Sequence, residues 1–340
     1  MKKLFTIMLV FASFALAKPQ KVIFDTDMGN DIDDALAVVM LYDYHTSGKG
    51  ELLAILSNKD NPYSPVYLSI LNEYYGVNFP IGAIQNGATK FEGRFVGPVS
   101  KMTNLDGSYK FARKIDDKSN IIDAVKLARK VLAKAEDGEV VYISVGFSTN
   151  VARLLESQPD EYSSLSGRDL VAKKVKYFSV MAGQFDVVEK SPKLVPEYNV
   201  KIDVESAKKF FENSPVPIVF SGFEIGVSLE YPQVALDKYM SPDNPVRIGY
   251  ENYARAVNKM KSDRHNRPTW DLTSVLYVFS PELWNLSEPV KVEVGEKGLI
   301  KFETDMASKH RYLKIPQDGK QKIIDELVER AVSLKPKAEK

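Results

Sequence analysis

Val22-Ile23-Phe24-Asp25-Thr26-Asp27-Met28-Gly29-Asn30-Asp31-Ile32-Asp33-Asp34-Ala35 is the stretch that most constrains how this chain can fold. Its apolar start reads as a short buried strand. The spacing of Ala35, Leu36, Val38, Val39 and Leu41 reads as a helix. Five aspartates therefore fall in one strand-to-helix turn. Carboxylates at that density repel one another unless a cation or a set of donors holds them. A solvated acidic turn with helix-capping residues accounts for Asp33 and Asp34. It does not account for Asp25 and Asp27, which alternate directly off the buried strand. A metal site is the better account, and oxygen ligands without His or Cys point to Ca²⁺ or Mg²⁺.

The rest of the chain repeats the alternation. Apolar runs at 52–56, 80–83, 140–145, 175–181 and 217–220 predict strands. Helices are predicted over 66–75, closed by Gly76; over 121–135, capped by Asn120; through Val151, Leu154 and Leu155; and over 204–212, capped by Asp203. Such units imply an α/β fold with a mostly parallel open sheet, a Rossmann-like core and helices on both faces. Residues 87–119 lack periodicity and read as a surface excursion. Residues 241–267, around a helix at 250–260, are a lid candidate. Residues 290–303 read as one or two edge strands, and 320–334 as a final amphipathic helix. No linker, low-complexity segment or repeat intervenes, so 18–340 reads as one domain.

Charge excludes some partners. With 46 basic and 45 acidic residues the net charge is +1, which offers no field for nucleic acid or an anionic membrane. The absence of Cys excludes disulfides and thiolate chemistry. Residues 1–17 combine a basic start, an apolar run and the small-x-small site Ala15-Leu16-Ala17. This is a secretory signal with cleavage expected after Ala17. The apolar run is shorter than the ~20 residues a spanning helix needs. The mature chain is expected in a periplasm or beyond, free of the membrane, where Ca²⁺ is plentiful. Homo-oligomerisation is left open.

In an open α/β sheet the binding crevice lies beyond the carboxyl ends of the strands. The residues just past the predicted strands share one chemistry: the aspartates, Asn58, a glycine turn after Val145, the loop ending in Glu197-Tyr198-Asn199, and Trp270-Asp271 at the start of a late helix. Carboxylates, amides and an indole suit a cation together with a polyhydroxylated ligand that carries a flat group. These residues resemble the nucleoside hydrolases of the inosine–uridine-preferring superfamily. Asp25 to Ala35 is similar to that family's acidic signature. Leu56-Ser57-Asn58, Val145 to Asn150, Pro196-Glu197-Tyr198-Asn199 with Asp203, and Trp270-Asp271 are similar to its later motifs. The resemblance implies hydrolysis of the N-glycosidic bond of ribonucleosides to ribose and free base. It implies one Ca²⁺ held by Asp27, Asp34, Asp271 and the Val145 carbonyl. It also implies ribose contacts from Asp33, Asn58, Glu197 and Asn199, with Asp27 as the base that activates a Ca²⁺-bound water.

Three departures qualify the resemblance. The signature is two residues longer than Asp-x-Asp-x-Gly-x-Asp-Asp, which leaves Asp31 without an assigned role. Ser191-Pro192-Lys193 stands where an Asn is expected before Glu197. Trp270 replaces a His that acts on the leaving base in inosine–uridine-preferring members and is similar to purine-preferring members, so it tilts the expected substrate toward purine nucleosides. Phe185, Tyr198 and Tyr253 are candidates for a second stacking ring, and His265 for a group that reaches the leaving base. Two other readings compete. One is an exported binder that keeps the pocket without turnover. The other is a haloacid-dehalogenase-like phosphatase, which also starts from Asp-x-Asp, although crowded aspartates would repel a phosphate.

Overall fold

β1 (Gln20–Thr26) is buried from Val22 onward, which is why its sequence is a continuous apolar run. In the computed structural model, which describes residues 18–339, β1 pairs in parallel with β2 (Gly50–Ser57), and β2 with β3 (Ile81–Ala83) at the edge. On the other side of β1 lie β4 (Val140–Ser144), β5 (Val175–Met181) and β6 (Ile218–Ser221), all parallel. The strand Arg311–Lys314 continues in parallel beside β6, and Asn285–Leu286 closes the far edge antiparallel. The expected signal segment, residues 1–17, lies outside the described residues. Among the described residues no helix is long and apolar enough to cross a membrane.

Side chains alternate across this sheet with the two-residue period of a strand. Val22, Phe24, Val141 and Ile143 face one hydrophobic core, which contains α1 (Asp33–Thr46). Ile23, Ala54, Leu56 and Tyr142 face the other, packed under residues of the helices Ala124–Lys134, Thr149–Glu156, Gly167–Lys174 and Val204–Asn213. α1 is buried along nearly its whole length, against the helices Trp270–Phe279 and Lys320–Ser333. This explains why it lacks a polar stripe.

Strand order reverses at β1. The chain steps outward to β2 and β3, then returns to β1's other side as β4. That reversal opens a crevice at the carboxyl ends of β1 and β4, where Asp27 and Val145 sit. A Cβ on Gly146 would lie 2.5 Å from Asn58 Oδ1 and 2.6 Å from Asp27 N. Only glycine lets the turns after β1, β2 and β4 close on one another there.

The structure departs from the sequence expectation at several elements. The helix expected from 121 begins at Ala124, with Asp123 as the cap whose carboxylate accepts from Val125 N and Lys126 N. Asp203 stands at the N-cap of the helix Val204–Asn213 as expected, but its side chain makes no capping hydrogen bond; its Oδ2 accepts from Thr149 Oγ1 instead. The stretch at 290–303 is not an edge of the main sheet. Val290–Val294 and Ile300–Thr304 pair with each other as a separate antiparallel hairpin, while the short Arg311–Lys314 takes the place beside β6.

Candidate active site

The site is built upward from Asp25. This carboxylate is fully buried and accepts from Asn58 Nδ2 at 3.0 Å, Asn150 Nδ2 at 2.9 Å and Tyr142 OH at 3.0 Å. Burial still pushes its pKa up to about 7, against the pull of those three donors. Asn58 also accepts from Phe147 N at 3.1 Å. Asp25 and Asn58 therefore tie the turns after β1, β2 and β4 together beneath the pocket. Asn58, expected on the ribose, is buried in this network and is not among the residues that line the cavity above it.

Above them lies a cavity of about 290 Å³, lined by Asp27, Asp31, Asp33, Asp34, Val145, Glu197, Asn199, Trp270 and Asp271, among others. Asp33, Asp34 and Asp271 each offer an oxygen, and these oxygens all lie within 4.8 Å of one another. Burial first, then repulsion from neighbouring aspartates, pushes all three well above the usual carboxylate range. Their donors are few: Thr26 Oγ1 to Asp34, and Asp271 N to Asp33 at 3.2 Å. Among the described residues, Asp31 is the one pocket aspartate with a side-chain ion pair. Buried carboxylates that converge without a counter-ion fit a divalent cation bound by oxygen.

The sequence expectation places Asp27 with Asp34 and Asp271, and Asp33 on the sugar. The mutually close group contains Asp33 instead. Asp27 lines the same cavity beside it, with Oδ2 accepting from Asn30 Nδ2. Lys59 in turn donates to Asn30 Oδ1. The sequence gives no sign of this buried lysine, because a Lys in a polar turn looks solvated. Burial raises the Asp27 pKa to about 6, and the nearby Lys59 charge holds that rise in check. The Val145 carbonyl lines the pocket and accepts from Asn199 Nδ2 at 3.2 Å. Glu197 caps the helix Tyr198–Ile202, accepting from Asn199 N at 2.9 Å, and burial pushes its pKa up to about 7.

Aromatic rings line the same cavity. Trp270 and Phe223 lie 5.3 Å apart between ring centroids at 31°, with Trp270 Nε1 donating to the Phe223 carbonyl at 2.9 Å. Two rings that sandwich a base must stand about 7 Å apart, twice a ~3.5 Å contact. Trp270 and Phe223 thus form one wall rather than two jaws. Phe91, Tyr198 and Tyr253 line the cavity too. Phe185, the third stacking candidate, is corrected: it is buried against Phe220, Phe302 and Tyr312. Phe91 and Phe223 escape a reading of the sequence because neither adjoins a recognisable motif.

Asp31 acquires a partner. Arg267 donates to both its oxygens, and Tyr253 OH donates to Oδ2 at 2.9 Å. The extra carboxylate of the lengthened signature thereby ties the acidic turn to the 241–267 segment, from which Tyr253 lines the cavity. His265 does not line the cavity. Its Nε2 faces Arg267 Nη1 at 3.1 Å, and burial together with that guanidinium pushes its pKa down.

The profile described as "Inosine-uridine preferring nucleoside hydrolase" matches residues 22–324. Pyrimidine-specific ribonucleoside hydrolase RihA from Enterobacter sp. (strain 638) is 26% identical over 274 residues, which covers 77% of this chain and 80% of that protein. Among solved structures, the purine-preferring ribonucleoside hydrolase from Gardnerella vaginalis aligns with a TM-score of 0.68 at 16% identity, over 92% of this chain and 98% of that one. A plant nucleoside hydrolase, PpNRh1, gives 0.67 at 20% identity, over 93% and 99%. At such identities the structural likeness establishes the fold. The family match sets aside the haloacid-dehalogenase reading. With the profile running through the acidic turn, the Glu197 loop and Asp271 alike, the chain belongs to the inosine–uridine preferring nucleoside hydrolase family and is an N-ribosyl hydrolase.

Proposed function

We propose that the protein hydrolyses purine ribonucleosides in preference to pyrimidine ones, with Ca²⁺ as its metal and Asp27 as its base. The observation that carries this reading is one cavity with three converging buried carboxylates and an aromatic wall formed by Trp270 and Phe223. The convergence of Asp33, Asp34 and Asp271 in one buried group supports a cation held there, with Asp27 and the Val145 carbonyl completing the oxygen set. When bound, the cation supplies the Lewis acidity that lowers the pKa of a ligated water.

The chain's own residues do the rest. Glu197, Asn199 and Asp33 hold the ribose hydroxyls. Asn30, itself held by Lys59, orients the Asp27 carboxylate. Asp27 takes the proton of the water as its oxygen bonds to C1′. The transition state is oxocarbenium-like, and the surrounding carboxylates favour its positive sugar. The base rests on the Trp270 wall. The pyrimidine-specific name belongs to the RihA relative, and a broad indole surface favours the larger purine ring.

The test is release of reducing sugar from inosine, guanosine, adenosine, uridine and cytidine, with and without a calcium chelator. Purines should turn over at least about 10-fold faster than pyrimidines, and chelation should stop both. A preference for uridine would overturn the purine assignment. Nucleoside binding without any release would favour the non-catalytic binder. Trp270→Ala should lower kcat/KM for inosine by roughly 10- to 100-fold, the usual worth of one stacked base. An equal loss on uridine would contradict stacking as the source of the preference.

A further inference from the structure

Loss of a nucleobase puts negative charge on its nitrogen, and an enzyme must either protonate that nitrogen or hold the charge. The aromatic lining of this cavity has no free acid. Tyr253 OH donates to Asp31. Arg267 is committed to Asp31 through two of its nitrogens. His265 lies outside the lining and faces Arg267.

Arg94 differs from these groups. Its guanidinium lines the cavity and, among the described residues, has no carboxylate partner. It donates only to two neutral oxygens, Asn30 O at 3.3 Å and Tyr253 OH at 3.5 Å. It stands over the Tyr253 ring, 5.4 Å from the centroid, and Phe91 and Trp270 line the same cavity. Its place is fixed by the backbone. Gly93 has φ +86°, and a Cβ there would lie 2.3 Å from Gly29 O; Arg94 N donates to that same oxygen at 3.3 Å. The backbone at Gly93 thus rests directly on the acidic turn, an approach only glycine permits.

We propose that Arg94 is a catalytic residue that holds the negative charge of the departing base. The inference rests on the N-ribosyl hydrolase reading. The C1′–N bond breaks and its electron pair goes to the base. The water oxygen bonds to C1′, one water proton passes to Asp27, and the base anion takes up a proton from solvent after it has left. Arg94 is exposed at the cavity, and a guanidinium there stabilises such an anion without titrating near neutrality.

The experiment compares inosine with p-nitrophenyl riboside, whose leaving group is already a stable anion. Arg94→Ala should lower kcat/KM for inosine about 100-fold relative to that for the nitrophenyl substrate, with Arg94→Lys recovering part of the ratio. A melting temperature near that of the wild type shows that the variants fold. Equal losses on both substrates would overturn the proposal and leave Arg94 as a shaping residue. A calorimetric titration with free xanthine, below and above the pH at which it ionises, gives a readout independent of turnover. The wild type should bind the anion about 10-fold more tightly than the neutral base, and Arg94→Ala should erase that difference. If no riboside is hydrolysed, the hydrolase reading fails and this titration alone decides whether Arg94 receives an anionic base. Equal affinity for the two forms in the wild type would refute it.

Discussion

Asp27→Asn is expected to lower kcat on inosine by roughly 10³- to 10⁴-fold, with KM nearly unchanged. The substitution keeps the shape and removes the ability to take a proton. Asp27 lines the cavity beside the Asp33, Asp34 and Asp271 group, so the variant, which keeps a side-chain oxygen at position 27, should still bind Ca²⁺ through those three carboxylates and melt near the wild type. One of its oxygens accepts from Asn30, which leaves the other for the cation and the water bound to it. Burial raises its pKa to about 6, close enough to neutrality for a base that must accept a proton and then release it. A rise in KM with kcat preserved would make Asp27 a binding residue only. Undiminished kcat would remove it from the mechanism.

How much of this site can be read from the sequence depends on distance along the chain. The acidic turn is legible because its strand, aspartates and helix are contiguous, and each obeys a local period. Glu197, Asn199 and Asp271 are legible because each follows or opens a recognisable element at the crevice. Asp31 is not, since its partner Arg267 lies 236 positions away, and no local pattern joins the two. Arg94 sits in the aperiodic 87–119 excursion, where the decisive constraint is a backbone contact between Gly93 and Gly29. Asn58 illustrates a different limit. Its strand-end position is correct, yet Asp25 and Phe147 claim its side chain from below. Sequence position shows which strand end a residue occupies but not whether it faces the cavity or the network beneath it. The sheet itself follows from strand–helix alternation. Its far edge does not, because Arg311–Lys314 is four residues long and the longer hairpin strands before it pair with each other.

Metal removal should invert how stability depends on pH. In the metal-free protein, burial raises Asp25 and Glu197 to about 7 and Asp27 to about 6, and raises Asp33, Asp34 and Asp271 well above their ordinary values. Between about pH 4 and pH 7 the folded chain therefore holds more protons than the unfolded chain, and stability falls as pH rises. The contribution of these protonated groups is fully present below about pH 4 and is lost as pH passes through the folded values. Asp25 alone, moved from 3.8 to about 7, costs the folded state roughly 4 kcal/mol at pH 8. The chelated protein should accordingly melt on the order of 8 °C higher at pH 5 than at pH 8. Calcium should reverse the slope, because its ligands must be deprotonated to bind it. Saturation at about 1,000 times Kd adds roughly 4 kcal/mol at pH 8, where binding has fewer protons to displace than at pH 5. Differential scanning calorimetry at both pH values, with chelator and with Ca²⁺, reads all four states. A chelated protein that grows more stable toward pH 8, or a melting temperature indifferent to calcium there, would mean that something other than a cation balances the aspartates.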